Sequence, residues 1–224
     1  EHVFDTIEWH ERYILRNEDN KLILGRGLTG DVIIDIDKTP HILIGGNTGS
    51  GKSVLVQCLL WQAIQQADVV YVADFKGGVD FSYVWQEFAY IITEETKLLV
   101  LLNHLADTLE ERKRLFKKVD AANITEYREK SGDYMQRIVF ACDEVAELLD
   151  KTGADKARKE LLAQIEARLA LIARQGRAFG IHLILATQRP DANILPGQIK
   201  NNMNIRICGR ADTTLSTIII GDGR

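Results

Sequence analysis

Gly46-Asn47-Thr48-Gly49-Ser50-Gly51-Lys52-Ser53 follows the apolar run His41-Ile42-Leu43-Ile44-Gly45 and precedes a helical pattern from Val54 to Gln66. A G-x-x-x-x-G-K-S spacing between a strand and a helix is that of a phosphate-binding loop. Its glycines let the backbone curl so that successive N–H groups converge on phosphate oxygens. The positive end of the following helix points at the same place. In this pattern Lys52 reaches the β- and γ-phosphates and the Ser53 hydroxyl ligates Mg²⁺. The implied ligand is a nucleoside triphosphate held by Gly46, Asn47, Thr48, Gly49, Ser50, Gly51, Lys52 and Ser53.

Outward from the loop, short apolar runs alternate with helical patterns. Upstream, Leu22-Ile23-Leu24 and Val32-Ile33-Ile34-Asp35-Ile36 read as strands, with Gly25 to Gly30 as the turn between them. Downstream, strands are expected at Val69–Ala73, around Ala89–Ile92, at Ile138–Cys142, from Ile181 to Ala186 and at Ile205–Cys208. Phe81 to Phe88 is a weaker segment, and residues 199–203 form a short helical turn. Leu98, Leu101, Leu102, Leu105, Leu109 and Phe116 give residues 95–118 one apolar helical face, and Leu161, Leu162, Ile165, Leu169 and Ile172 do the same for residues 157–175. Asp212 caps a last helix to Ile219. Strands apolar throughout, alternating with amphipathic helices, predict an α/β fold with a central, mainly parallel sheet covered on both faces. An N-terminal β-hairpin precedes it. Residues 1–38 are read as a hairpin extension packed on the rest, and 39–224 as a single domain.

The chain has 224 residues, 46% of them apolar and 27% charged, with a net charge of −4. That balance suits a globular α/β domain and gives no bulk attraction to nucleic acid or anionic lipid, so any such contact must be local. Cys58, Cys142 and Cys208 sit far apart in apolar runs and read as buried thiols of a reducing compartment. No run approaches the length of a membrane span. The chain starts without methionine and is read as an excerpt of a longer one.

In open parallel sheets chemistry collects beyond the C-terminal strand ends. Asp143, closing Ile138–Cys142, has the Walker B pattern of a carboxylate that holds Mg²⁺. Glu144 beside it is placed to polarise an attacking water as a general base. The two acids could also cap a following helix at Val145–Leu149, but the upstream loop favours the catalytic reading. Gln188 closes the next strand with an amide able to contact the γ-phosphate or the lytic water, and Thr187 is a further candidate. Arg206 and Arg210 are candidates for stabilising γ-phosphate charge across a subunit boundary. In Asp74-Phe75-Lys76-Gly77-Gly78, Asp74 is placed to touch the metal shell with Lys76 free to pair with it; a plain turn explains the glycines equally well. His41, His104 and His182 have no metal-ligand spacing and read as core or edge residues.

The sequence resembles the motor domain of the FtsK/SpoIIIE family, which includes EssC/EccC secretion ATPases and conjugative coupling proteins. The resemblance runs from about Leu22 to Asp222. It rests on Pro40 to Gly46, on Val139 to Ala146, and above all on Gly176-Arg177-Ala178-Phe179-Gly180-Ile181-His182-Leu183-Ile184-Leu185-Ala186-Thr187-Gln188-Arg189-Pro190. It implies a RecA-like P-loop NTPase that uses ATP and Mg²⁺, with Lys52, Ser53, Asp143, Glu144 and Gln188 in the roles above. It also implies a homo-hexameric pump on the cytoplasmic side of a bacterial membrane, tethered through other parts of the parent protein. Residues 74–78 depart from the Asp-Pro-Lys form of chromosome translocases and look like the form of secretion ATPases and some conjugation-associated members. The leading expectation is a non-specific double-stranded DNA translocase for conjugative transfer, with Lys156, Arg158 and Lys159 the nearest basic cluster. A protein-secretion ATPase is the alternative, and a non-hydrolysing assembly module a third reading that Glu144 argues against.

Overall fold

The computed structural model describes residues 8–15, 18, 20–77, 80–188 and 195–221. In chain order its elements are β1 (Lys21–Gly27), β2 (Gly30–Asp35), β3 (His41–Gly45), α1 (Lys52–Gln65), β4 (Val69–Ala73), β5 (Tyr90–Ile92), α2 (Glu95–Lys118) and α3 (Ile124–Ser131). There follow β6 (Ile138–Cys142), α4 (Val145–Leu149), α5 (Lys156–Gln175), β7 (Ile181–Thr187), α6 (Gly197–Lys200), β8 (Ile205–Cys208) and α7 (Thr213–Ile220). Among the described residues, β3 to β8 form one sheet in the order β5-β4-β6-β7-β3-β8, and every pair is parallel.

Side chains of a strand alternate between faces, and here both faces are buried. Leu43, Phe140, Leu183 and Leu185 point to one side, against Leu102 and Leu105 of α2 and Ile165 and Leu169 of α5. Ile42, Ile44, Val70, Val72, Val139 and Ile184 point to the other, against Val56, Leu59, Leu60 and Ala63 of α1. This two-sided burial is why the strands read as continuous apolar runs. Gly45 is needed at the end of β3 because a Cβ there would stand 2.3 Å from Ile219 Cγ1 of α7.

The hairpin β1–β2 is antiparallel and docks on α1 through amides. The Ile23 N–H donates to Gln62 Oε1 at 2.7 Å, and Gln62 Nε2 donates back to Ile23 O at 3.0 Å, so a side chain imitates a strand partner. Gln66 Nε2 adds a bond to Lys21 O at 2.8 Å. The turn expected over Gly25 to Gly30 is shorter than the glycines suggested. Strand pairing continues through Gly25, Arg26 and Gly27 after a register shift at Ile23/Gly25, leaving Leu28-Thr29 as the turn. Gly25 (φ +159) thus serves a β-bulge. The weaker segment from Phe81 is a 3-10 turn at Tyr83–Glu87.

Asp37, in the link from β2 to β3, closes the base of the sheet. The buried Arg137 donates to both its oxygens, Nε to Oδ1 at 2.8 Å and Nη2 to Oδ2 at 2.6 Å. Thr125 Oγ1 and Arg177 Nε also reach Asp37. His41 and His182 are buried beside this end of the sheet. Burial, then the neighbouring histidine for His41 and Arg137 for His182, lowers each to about 3 and keeps both rings neutral. They are core residues, with His41 Nδ1 accepting from the Leu183 N–H at 3.0 Å.

Candidate functional site

The parallel arrangement gathers the C-terminal ends of β3, β4, β6 and β7 at one edge, and β7 lies between β3 and β6. The residues after β3 wrap into the loop because Gly49 (φ +77) and Gly51 (φ +85) adopt left-handed conformations open to glycine. Gly51 is the N-cap of α1, leaving that helix's first N–H groups turned toward the loop. Neighbouring strand ends hold the loop's flank. The Gly46 N–H donates to Thr187 O at 3.3 Å and the Asn47 N–H to Arg210 O at 2.9 Å.

Lys52 is buried, with Nζ donating to the Asp143 carbonyl at 3.0 Å and lying 3.4 Å from Asp143 Oδ1. Ser53 Oγ donates to Asp143 Oδ1 at 3.1 Å. On the other carboxylate oxygen, Lys76 Nζ donates to Oδ2 at 2.6 Å. Burial would raise the Asp143 carboxyl, but the Lys76 hydrogen bond and the charges of Lys52 and Lys76 outweigh it and hold the group below the usual carboxylate range. The expected pairing of Lys76 with Asp74 is therefore corrected. The side chain of Lys76 reaches across to β6, and Asp74 Oδ1 instead accepts the Lys76 backbone N–H at 2.9 Å, forming an Asx turn. Gly78 lies outside the described residues.

Asp80 is a member of this cluster that the sequence did not single out. Its Oδ2 lies 3.5 Å from Ser53 Oγ, and its backbone carbonyl accepts from Gln57 Nε2. Burial and then the Asp143 charge push its carboxyl up. It stands six residues after Asp74, beyond a glycine pair. A count of carboxylates returning to the strand end was the available signal.

Asp143, Ser53 and Asp80 offer hard oxygen donors only. Asp74, almost fully buried, keeps Oδ2 without a hydrogen-bond partner and lines the same small cleft as Lys76, Asp143, Glu144 and Glu147. Oxygen donors suit a hard cation such as Mg²⁺ rather than a soft metal, although among the described residues no three acidic, histidine or cysteine side chains converge to hold an ion by themselves.

Glu144 occupies the N-cap position of α4 but makes no side-chain bond to that helix, so it does not cap it. Its carboxylate turns to β7, where Thr187 Oγ1 donates to Oε1 at 2.7 Å and the Gln188 N–H to Oε2 at 2.9 Å. The Gln188 amide oxygen in turn accepts from Thr48 Oγ1 of the phosphate loop at 2.7 Å. Lys52, Ser53, Asp143, Glu144 and Gln188 are thus brought together.

The two arginines separate. Arg206 spends its guanidinium on the carbonyls of Met203 (3.2 Å) and Lys200 (2.9 Å), closing the turn before β8. Arg210 is exposed beside the loop, which its backbone carbonyl contacts. In the basic cluster at the start of α5, Arg158 is held by Glu95 at 2.9 Å and Lys156 lies 4.0 Å from Glu160. Arg189 and Pro190 lie outside the described residues.

The family model described as the FtsK/SpoIIIE family matches residues 7–192. The DNA translocase FtsK of Campylobacter jejuni is 31% identical over 214 residues, which take in 90% of this chain and 22% of that protein. The DNA translocase FtsK of Helicobacter pylori is 32% identical over 215 residues, 90% of this chain and 24% of its own length. The chain therefore spans about a fifth to a quarter of these relatives. The solved structure of the pCW3 conjugation coupling protein TcpA, in a monomer form with ATPγS, is similar over 99% of this chain and 63% of its own, with TM-score 0.95 and 40% identity. ATPases 2 and 3 of EssC from Geobacillus thermodenitrificans match over 92% of this chain and 40% of theirs at TM-score 0.76 and 20% identity, a likeness of fold. With a P-loop ATPase fold and a family match across most of its length, the chain belongs to the FtsK/SpoIIIE family.

Proposed function

We propose that this chain is the ATP-hydrolysing motor of a double-stranded DNA translocase serving conjugative DNA transfer, working as a homo-hexamer on the cytoplasmic side of a membrane. The observation that carries the reading is the 40% identity and 0.95 TM-score to a conjugation coupling protein with ATPγS, over nearly the whole chain. In this reading the backbone N–H groups of Gly46 to Ser53 cradle the phosphates, and Lys52 leaves Asp143 to bind the β- and γ-phosphates. Ser53 and Asp143 would hold Mg²⁺, which supplies charge neutralisation to the phosphates when bound. Glu144 takes the proton of the attacking water. Gln188, already linked to the loop through Thr48, senses the γ-phosphate. Arg210, exposed next to the loop, suits the trans role better than Arg206, whose guanidinium is committed within its own chain.

Two outcomes test this. Phosphate release by the full-length protein should rise severalfold with duplex DNA at low salt, and the stimulation should fade as salt rises, because contacts to phosphates release counterions. No response to duplex DNA, with stimulation by a secreted protein's targeting segment instead, would favour the secretion reading. Lys52→Ala should weaken ATP binding about 10–100-fold, the worth of a charge-assisted hydrogen bond at roughly 1.5–3 kcal/mol. Folding should change little, since Lys76 and Ser53 still hold Asp143. Titration with a fluorescent ATP analogue reads the first and thermal denaturation the second.

A further inference from the structure

We propose that Thr187 is the positioning residue of Glu144: its hydroxyl fixes the carboxylate that takes the proton from water. The inference rests on the reading of Glu144 as general base and goes beyond it by naming what aims that base.

The geometry begins with register. β6 and β7 run parallel with Cys142 opposite Leu185, so Glu144, two residues beyond β6, comes level with Thr187, the last residue of β7. A glutamate at the start of a helix ordinarily turns to the free N–H groups of that helix. Glu144 does not, and α4 begins without a side-chain cap. Both its oxygens are taken by one strand end, Oε1 by Thr187 Oγ1 at 2.7 Å and Oε2 by the Gln188 N–H at 2.9 Å. The backbone donor is fixed by the chain, so the hydroxyl is the adjustable half of this two-point grip. Two bonds fix the plane of a carboxylate where one leaves it free to turn. Each oxygen keeps further lone-pair capacity for a water.

Thr187 is itself nearly fully buried, at 3% exposure, and its carbonyl accepts the Gly46 N–H from the phosphate loop. One residue therefore touches the loop with its backbone and the base with its side chain. Its neighbour repeats the pattern, with the Gln188 backbone on Glu144 and its side chain on Thr48. Occupation of the loop bears on the two residues that aim the base.

The test compares Thr187→Val, Thr187→Ser, Glu144→Gln and the double variant T187V/E144Q in the full-length protein, by single-turnover ATP hydrolysis and by nucleotide affinity. Valine keeps the β-branched shape and removes the hydroxyl. T187V should lower kcat and the single-turnover rate about 10–100-fold, the cost of a misdirected catalytic group, with ATP affinity and KM within about twofold. T187S, which restores the hydroxyl, should return to within about threefold of the parent. In the double variant T187V should add nothing to E144Q, because a residue acting through Glu144 has nothing left to position. T187V with kcat within twofold of the parent overturns the proposal, as does an additive loss in the double variant or a T187S no better than T187V. If E144Q itself keeps turnover, the base assignment fails and the proposal with it. An inactive E144Q beside a fully active T187V removes the positioning role alone.

Discussion

Glu144→Gln is expected to abolish turnover while leaving ATP bound. A positioned general base contributes about 10²–10⁴-fold, and the amide has no basicity at neutral pH with which to replace it. The substitution should fold, and the reason lies in the two donors that face Glu144. The Gln188 N–H needs an acceptor, which the amide oxygen provides. The Thr187 hydroxyl can rotate from donor to acceptor and take the new amide N–H. Phosphate release should therefore fall by about 10²–10⁴ while ATP affinity stays within about threefold. Turnover within about threefold of the parent would remove Glu144 from the chemistry. It would also restore the third reading, a nucleotide-dependent assembly module.

The second large effect concerns stability. Asp37→Ala should destabilise the chain by about 3–5 kcal/mol, the cost of removing one partner of a buried ion pair. Arg137 is 1% exposed and places two nitrogens on Asp37, so deleting the carboxylate leaves its charge in the core without that counter-ion. The melting temperature should drop by roughly 6–20 °C for a domain of this size. Replacing both partners with apolar residues, Asp37→Leu with Arg137→Met, should recover much of the loss, because no charge is then left buried. A single variant costing under about 1 kcal/mol would show that Asp37 is not the clasp at the base of the sheet.

Local signals made much of this legible. β3, the loop and α1 announced themselves through adjacent residues, and the bounds of α2 and α5 followed from apolar faces at helical spacing. Two-sided burial made β4, β6 and β7 continuous apolar runs. What stayed hidden is what depends on distant partners. Asp37 meets Arg137 100 residues later, and nothing near either residue signals the other. Lys76 looked available to Asp74, two residues away, but a parallel β4–β6 pair brings Asp143 within its reach. Helix α3 has only Ile124 and Tyr127 buried and so carries no apolar stripe. Its caps were nevertheless readable, with Asn123 accepting the Glu126 N–H, Glu126 accepting the Ala122 N–H, and Gly132 left-handed at its end. In the site, the acids and the loop were visible from their patterns, while the grip of Thr187 on Glu144 required knowing that β6 and β7 are neighbours.

The strand order also sets the sequence of events during synthesis. β3 is the first strand of the large sheet to be made, yet both its neighbours come from the far end of the chain. His41 pairs with Leu183, 142 residues later, and Ile42 pairs with Ile205. At roughly 5–20 residues per second, the strand that carries the phosphate loop waits about 7–30 s for its first partner. β4, β5 and β6 can pair with one another in that interval, whereas Ile42, Leu43 and Ile44 remain without a sheet. Pairings so distant are slow to form even in a complete chain. Nascent chains arrested before β7 should therefore carry the loop and its lysine and still bind no nucleotide.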